Sequence, residues 1–221
     1  MSDTDTSTGL PIRSGAATSG SGEAARSARR RRQLIDAALD GIAEQGLRDT
    51  TVQDLARRAG MAVGSISQYF ASKDQLLTAT LQLLSDEFEA GWRAAIERAG
   101  AEPAARLSAF VMTYFEPALC QRKKIAVWFA FWGEVKARPH YRRVCAGHDR
   151  EHDRVLQELC AAVLATRTDP APDPARMTKI ITALCQGLWL DMLTAGETMS
   201  RRDYAGLALA GLESLLSRPP A

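Results

Sequence analysis

The sequence contains no run of about twenty uncharged apolar residues, and its N-terminus lacks the basic and then apolar segments of a signal peptide. We therefore expect neither a membrane span nor export, and the predicted location is the cytoplasm. Cysteine is scarce, and its residues are widely spaced with no C-x-x-C pair: Cys120, Cys145, Cys160 and Cys185. Because a chain of 221 residues can bury a core without disulfides, we interpret all four as reduced residues that pack in the interior.

Enzyme signatures are mostly missing as well. The sequence has no phosphate-binding loop, dinucleotide fingerprint or Ser/His/Asp grouping, so we expect neither an enzyme nor a cofactor. One short motif, His148-x-x-Glu151-His152, fits the H-x-x-E-H signature of inverted zinc peptidases, and two histidines four residues apart can share a metal ion. A metal-dependent hydrolase is a remote alternative, because this motif lies on a charged helix face and no distant acidic ligand accompanies it.

Positive charge is concentrated at one place. The formal net charge is only +2, but five of the 28 lysines and arginines fall between Arg26 and Arg32. The preceding segment, Met1–Ala25, consists mostly of small and polar residues, and its only large apolar side chains are Leu10 and Ile12. Such a segment cannot bury enough apolar surface to offset its chain entropy, so a disordered tail is predicted over residues 1–25.

From Gln33 onward the apolar periodicity is helical, and no β alternation competes with it. Gly46 follows the first helix as a stop signal. The T-V-Q-D sequence that begins at Thr51 forms a capping box with Asp54 and opens a short second helix, which ends before Gly60. The pattern predicts an all-α fold of about nine helices, with the later ones over residues 73–97, 104–116, 124–137, 141–165, 175–195 and 201–217.

A third short helix is predicted to start near Val63, and we expect its residues Val63, Ile66 and Phe70 to face the core. Two short helices joined by a three-residue turn match the helix-turn-helix unit, whose second helix enters the major groove of DNA. The outward side chains suit that role, because glycine permits close approach, glutamine bonds adenine bidentately and serine pairs with several bases. These side chains are Gly64, Ser65, Ser67 and Gln68.

Residues around this unit are candidates for contacts with the DNA backbone. The Thr51 hydroxyl, Tyr69 and Lys73 are placed to bind phosphates. The arginine cluster, including Arg30 and Arg31, either follows the backbone or enters the minor groove. The alternatives are a solvated glutamine and an arginine run that only keeps the chain soluble.

A family resemblance becomes specific over about residues 29–80. It rests on Arg30-Arg31-Arg32-Gln33-Leu34-Ile35-Asp36-Ala37, Gly46, Thr51, Leu55-Ala56, Ala59-Gly60, Ile66, Tyr69-Phe70, Lys73 and Leu76-Leu77. This stretch resembles the N-terminal domain of the TetR family of transcriptional regulators. The resemblance implies a DNA-binding domain over residues 26–75, an effector-binding and dimerisation domain over residues 76–218, and a homodimer that binds double-stranded operator DNA. It also implies base contacts from Gln53, Val63, Gly64, Ser65, Ser67 and Gln68, and phosphate contacts from Thr51, Tyr69 and Lys73.

The rest of the chain contains an unusual density of aromatic rings. Trp128 and Trp132 share a helix face at i, i+4 within the segment W-F-A-F-W. The other candidate rings are Trp92, Tyr114, Phe115 and Trp189. Cages of Trp and Tyr bind quaternary ammonium groups, which cannot donate hydrogen bonds. The alternative is that the rings only fill the core, and both descriptions can hold at once.

The W-F-A-F-W segment, the Gly187–Leu190 segment and the R-R-R-Q-L-I-D-A opening resemble the choline-sensing, BetI-type branch of the TetR family. The resemblance implies choline or a related trimethylammonium compound as the effector, with Asp191, Glu116 and Glu134 as candidate charge partners. The predicted function is a repressor that a small molecule releases from a palindromic operator. The alternative is a regulator of efflux or catabolic genes that responds to another cationic or lipophilic ligand.

The last two helices carry more apolar residues than one face needs for the chain's own core. Their stripes are Met177, Ile180, Ile181, Leu184 and Leu188, and Leu207, Leu209, Leu212, Leu215 and Leu216. We therefore predict that two chains pair through these helices about a two-fold axis. An effector bound among the aromatic rings is expected to shift the helix from Lys73 to Glu97, which joins the two halves of the chain.

Overall fold

The computed structural model describes residues 18–166, 172–196 and 199–217, and over these residues the predicted all-α fold is confirmed. They form eight α-helices and one short 3-10 helix, with no strand. The helices are α1 (Thr18–Asp49), α2 (Val52–Ala59), the 3-10 helix (Val63–Gln68), α3 (Lys73–Arg98), α4 (Pro103–Thr113), α5 (Arg122–Glu134), α6 (Pro139–Leu164), α7 (Pro174–Thr194) and α8 (Arg201–Ser217). None of the described helices is long and apolar enough to cross a membrane.

The boundaries of the first helices follow the chemistry of their ends. Gly46 has a φ of +82°, which favours glycine, and it breaks the helical geometry near the end of α1, as its stop signal predicts. The Thr51 hydroxyl accepts a hydrogen bond from the Asp54 N–H at 3.1 Å, which confirms the predicted cap of α2. Gly60, with a φ of +63°, then ends α2 by donating its N–H back to the last turn.

The first helix starts earlier than the sequence pattern predicts. Residues 18–25, predicted as part of a disordered tail, are the first residues of α1, and the rest of that tail lies outside the described residues. The reason is local helix propensity. Ala24, Ala25 and the arginines after them are strong helix formers, and they extend a helix that the core holds from Leu34 onward.

The 3-10 helix differs from its prediction at one side chain. Ile66 is buried and so is Phe70 just after the helix, but Val63 is 47% exposed and does not pack inward. Val63 opens this helix directly after Ala62, whose backbone is extended, so no preceding helical turn covers its side chain. The inward assignment of Val63 is therefore wrong, and Val63 belongs to the exposed surface of the helix.

Helix α3 contributes to two apolar cores. Its first half buries Leu76 and Leu77 against α1, α2 and the 3-10 helix. Its second half buries Trp92 among side chains of α4, α6, α7 and α8. Phe131 of α5 and Tyr141 of α6 also enter the first core. The two cores are thus joined by α3 and by side chains that cross from the C-terminal helices.

All four cysteines are free and buried, which confirms their interpretation as packing residues. Burial raises the pKa of the Cys185 thiol to about 12 and the pKa of each of the other three thiols to about 11. They are therefore protonated at neutral pH, and the reactive thiolate form is rare.

The apolar stripes of α7 and α8 serve mainly the chain's own core. Met177, Ile181 and Leu212 are buried within the single chain, so these members of the predicted stripes belong to the chain's own core, and the predicted pairing of two chains depends on the others. The two helices pack tightly against each other, because a Cβ at Gly211 would lie 2.6 Å from the Leu184 side chain. The large apolar side chains that stay exposed on these helices are Ile180, Leu190 and Leu207.

Candidate DNA-contacting surface and ligand cavity

The 3-10 helix presents a small and polar surface. Its exposed or half-buried residues are Val63, Gly64, Ser65, Ser67 and Gln68, and Gln53 of α2 is exposed as well. The Ser65 and Ser67 hydroxyls donate hydrogen bonds to the carbonyls of Ala62 and Gly64, at 2.7 and 2.9 Å. Their hydrogens are therefore used within the helix, and the oxygen lone pairs remain free to accept bonds from a ligand.

Two of the predicted phosphate-contact residues have different surroundings. Thr51 is exposed, and its hydroxyl oxygen accepts a bond within α2 while its hydrogen can be donated outward. Lys73 instead turns its ammonium group toward the protein, donating to the carbonyls of Leu47 and Arg48 at 3.3 and 3.4 Å. Burial lowers the pKa of Lys73. In this conformation Lys73 stabilises the end of α1.

The arginine cluster also contacts the protein itself. Arg31 donates to the carbonyl of Tyr69 at 2.5 Å, and its guanidinium group lies 4.2 Å from the centre of the Phe70 ring. Arg30 donates to the Gln33 side chain at 3.2 Å. The Arg31 contact ties the N-terminal part of α1 to the end of the 3-10 helix, although the two are far apart in sequence.

A cavity of about 540 Å³ lies where α3, α5, α6 and α7 meet near the end of α4. Six aromatic rings line it: Phe88, Trp92, Tyr114, Trp128, Trp132 and Trp189. Five of these rings are among the predicted effector residues, and Phe88 was missed. Most of the aromatic lining is thus indicated by ring spacing in the sequence, and the volume is within the range of small-molecule sites in proteins.

Two predicted effector residues lie elsewhere. Phe115 is buried in the core one residue after Tyr114, and that single step turns its ring away from the cavity. Asp191 is exposed on α7, where it accepts a hydrogen bond from the Tyr204 hydroxyl at 2.8 Å. It follows Trp189 by two residues, which places it on the opposite side of the helix. The other candidate charge partners, Glu116 and Glu134, do not line the cavity either.

The aromatic rings of the cavity form two groups: Trp128 with Trp132 on α5, and Tyr114 with Phe88 and Trp189. The centres of the Trp128 and Trp132 rings lie 5.8 Å apart with their planes inclined at 35°, and both side chains are half-buried. Tyr114 lies 4.9 Å from Phe88 and 5.2 Å from Trp189. The Trp189 indole N–H donates to the Tyr114 carbonyl at 2.7 Å. The second group is thus fixed by packing and hydrogen bonding, and its Tyr114 and Trp189 are buried, whereas Trp128 and Trp132 are half-buried.

Asp149 is the cavity carboxylate without a hydrogen-bond or ion-pair partner in the described part of the chain. Glu89 is bound by the His148 ring at 2.5 Å, and Asp153 receives the Lys179 ammonium at 2.5 Å. Asp149 is exposed on α6, and the partial burial of its carboxyl group at the cavity raises the pKa of that group. A positively charged ligand would compensate that charge, so Asp149 is a candidate ligand contact that the sequence pattern does not indicate.

The H-x-x-E-H motif does not assemble as a metal centre. His148 and His152 line the cavity, but Glu151 is bound by Arg93 and Arg154, each at 2.8 Å. His152 bonds to the Tyr114 hydroxyl. Across residues 18–166, 172–196 and 199–217, no three His, Cys, Asp or Glu side chains are grouped to hold a metal ion.

A polar junction joins α6 to the first turn of α3. The Asp74 carboxylate accepts a hydrogen bond from the Tyr141 hydroxyl at 3.0 Å, and it lies 2.9 Å from the His140 ring and 3.4 Å from the Arg138 guanidinium. Burial raises the pKa of Tyr141 to about 12, so its hydroxyl stays protonated and donates. This junction connects a cavity-lining helix to the helix that follows the candidate DNA-contacting surface.

Comparisons with known proteins agree with both halves of this arrangement. Residues 34–80 match the family described as bacterial regulatory proteins of the tetR family, and residues 103–217 match the BetI-type transcriptional repressor C-terminal domain. The HTH-type transcriptional regulator BetI of Burkholderia mallei is 34% identical over 191 residues, which cover 85% of this chain and 94% of that protein. The chain belongs to the TetR family, with a BetI-type C-terminal domain.

Solved structures of other transcriptional regulators share the fold. A transcriptional regulator from Pseudomonas aeruginosa PAO1 superposes with a TM-score of 0.75 at 25% identity, covering 86% of this chain and 91% of that one. A regulator from Saccharomonospora viridis, solved in complex with choline, superposes with a TM-score of 0.74 at 20% identity and covers 84% of this chain and 96% of that one. This TetR-family chain is thus a DNA-binding transcriptional regulator built on a shared helical scaffold.

Proposed function

We propose that this TetR-family regulator is a repressor, and that choline or a closely related trimethylammonium compound releases it from a palindromic operator. The observation that carries the proposal is the unpaired carboxylate of Asp149 in a cavity that the half-buried rings of Trp128 and Trp132 also line. The choline complex of the Saccharomonospora viridis regulator supports the ligand class. The BetI-type C-terminal match supports the repressor role.

The cavity provides the two interactions that a trimethylammonium group needs. Such a group cannot donate hydrogen bonds, so it is recognised by the negative faces of aromatic rings and by a nearby negative charge. In the cavity, Trp128 and Trp132 supply the faces and Asp149 supplies the charge. The volume of about 540 Å³ also leaves room for cations larger than choline, and such a lipophilic cation is the alternative effector.

The proposed base contacts come from the 3-10 helix and the phosphate contacts from its flanks. Gln53, Val63, Gly64, Ser65, Ser67 and Gln68 are proposed to face the major groove. Thr51 and Tyr69 are proposed to bind phosphates, and Lys73 joins them if its ammonium group leaves the end of α1. In a two-fold dimer these helices must lie about 34 Å apart, or a multiple of that, to enter successive major grooves on one face of DNA.

The proposed homodimer uses the exposed side chains of α7 and α8. Ile180 and Leu207 remain exposed in the single chain, as does Leu190, and burying them against a second copy would remove a large apolar surface from water. The buried residues of the predicted stripes pack in the core and hold the two helices that carry these exposed side chains. Effector binding is proposed to shift α3 and thereby change the separation of the two DNA-contacting helices.

The direct test is operator release measured together with ligand binding. Choline is expected to bind the purified dimer and to weaken its operator complex in a mobility-shift assay. About a hundredfold difference in choline affinity between the free and operator-bound conformations corresponds to a coupling free energy of about 2.7 kcal/mol. The neutral isostere 3,3-dimethylbutan-1-ol should bind much more weakly in calorimetry. Equal binding of both compounds, or choline binding without operator release, would contradict the proposal.

The polar junction gives a separate prediction about coupling. Tyr141→Phe removes the hydroxyl that ties α6 to Asp74 but keeps the buried ring. We expect the ratio of operator affinities without and with saturating choline to fall by about fivefold, because one such hydrogen bond contributes about 1 kcal/mol. Tyr204→Phe is the matched control, since it removes a hydroxyl that donates to Asp191 on α7. If the ratio is unchanged in Tyr141→Phe, the junction does not couple choline binding to operator binding.

A further inference from the structure

Helix α1 begins well before the part of the chain that matches the family. The match to the tetR-type domain starts at Leu34, whereas α1 starts at Thr18. The intervening residues 18–33 contain five arginines and a single acidic residue, Glu23. From Gly22 to Arg29 every described side chain is exposed. This segment is therefore a basic helical arm, here defined as residues 18–33, whose described side chains from Gly22 to Arg29 lie outside the apolar core.

The arm is fixed to the body of the protein by two of its arginines. Arg31 bonds to the carbonyl of Tyr69 at the end of the 3-10 helix, and Arg32 pairs with Asp36 at 3.0 Å and with Glu87 of α3 at 3.5 Å. The anchor of the arm thus lies beside the helix proposed to enter the major groove.

The remaining arginines of the arm are available. Arg26 and Arg29 are exposed and have no hydrogen bond or ion pair to any described residue. At 100° per residue, Arg26, Arg29 and Arg30 fall within about 100° of one another around the helix axis, so they form one basic face. An unpaired cluster of positive side chains next to a DNA-contacting surface is suited to phosphates.

We infer that the basic helical arm is a second DNA-binding element, which contacts phosphates flanking the recognition site through Arg26 and Arg29. The inference rests on the proposed binding of an operator by the 3-10 helix. Arg26 precedes the anchor residue Arg31 by five residues of helix, so the proposed contacts reach about 8 Å beyond the anchor. That distance equals about two base pairs along the DNA axis at roughly 3.4 Å each.

The helical state also decides between the two roles open to the arginine cluster. An α-helix with its side chains is about 10 Å wide, and the minor groove of B-DNA is only about 6 Å wide. The arm therefore follows the backbone from outside and does not insert into the minor groove. Its contribution depends on salt and not on the sequence of the flanking base pairs.

The test uses the full chain with Arg26→Ala/Arg29→Ala and operator DNA with long flanks. Each lost phosphate contact lowers the slope of log K against log salt by about 1, so a dimer should lose up to about 4 from its slope. Affinity should drop most at low salt, and protection in hydroxyl-radical footprints should shorten at both outer ends. The control Arg143→Ala/Arg150→Ala removes the same charge from exposed positions of α6. It should change neither the salt dependence of operator affinity nor the length of the footprint.

A second variant tests the helical state. Ala28→Pro breaks the arm without changing its charge and lies outside the core, so it should shorten the footprint as the double variant does. Replacing the flanks by G·C-rich sequence should have no effect. The inference is overturned if the double variant matches its α6 control, if Ala28→Pro leaves the footprint intact, or if the loss depends on A·T flanks. In each case intact operator binding would leave the proposed function standing.

Discussion

Replacing Asp149 by asparagine, or both Trp128 and Trp132 by leucine, is expected to abolish most of the response to choline while operator binding persists. One cation–π contact contributes roughly 0.5 to 2 kcal/mol, and loss of the unpaired carboxylate removes the charge that favours a cation over a neutral molecule. We expect choline affinity in calorimetry to fall by about tenfold to a hundredfold in either variant. The two tryptophans are half-buried, so leucine keeps much of their packing and the fold should survive.

The control for charge is Glu151→Gln. This substitution changes the same charge two residues along α6, but Glu151 is bound by Arg93 and Arg154 and does not line the cavity. Choline affinity should therefore stay near that of the wild type. The neutral isostere 3,3-dimethylbutan-1-ol separates the two effects, because Asp149→Asn should reduce only the preference for choline over this compound. If Asp149→Asn keeps the full preference, the carboxylate is not part of the cation site.

Local sequence chemistry was enough to predict the fold. The cap at Thr51 and the glycine stops at Gly46 and Gly60 act within a few residues, and each is found where the pattern places it. The periodicity of the apolar residues then fixes which helix faces pack together. The start of α1 was missed because the tail was judged by its inability to form a core, whereas helix propensity and continuity with a packed helix decide its structure.

The candidate cavity was only partly predictable. Rings at helical spacing identify a lining, and five of the predicted rings do line the cavity. Phe115 is predicted as one more ring and Asp191 as a charge partner, but each lies one or two residues from a lining ring, and that step along a helix turns a side chain to another face. Asp149 was overlooked because the surrounding motif was read as a metal signature. The available signal is that Asp149 lies four residues after the buried Cys145, because residues four apart share one face of a helix.

Contacts between distant residues could not be read from the sequence at all. Arg31 and Lys73 were assigned to DNA because basic residues near a helix-turn-helix unit often bind phosphates. In the folded chain Arg31 bonds to a carbonyl 38 residues away and Lys73 to a carbonyl 26 residues away. To bind phosphates, the Arg31 and Lys73 side chains must give up these backbone carbonyls, so both assignments stay predictions.

Gly64→Leu is expected to eliminate specific operator binding without affecting the fold. A Cβ at Gly64 meets no protein atom within 4 Å, so a larger side chain there projects outward without a clash. In the major groove the same side chain would occupy the space between the 3-10 helix and the base edges and keep the helix from docking. Specific affinity should fall toward the nonspecific level, a loss of roughly a thousandfold or more. Mobility-shift titration with operator and with random DNA measures both quantities.

Gly147→Leu is the matched control, since Gly147 on α6 is also exposed and a Cβ there meets no protein atom within 4 Å. It should bind operator and random DNA as the wild type does. Gly64→Leu should retain binding to random DNA, because phosphate contacts from the flanks do not require the helix to sit deep in the groove. Circular dichroism and choline binding should match the wild type in both variants. If Gly64→Leu binds its operator normally, the exposed face of the 3-10 helix is not the surface that reads DNA.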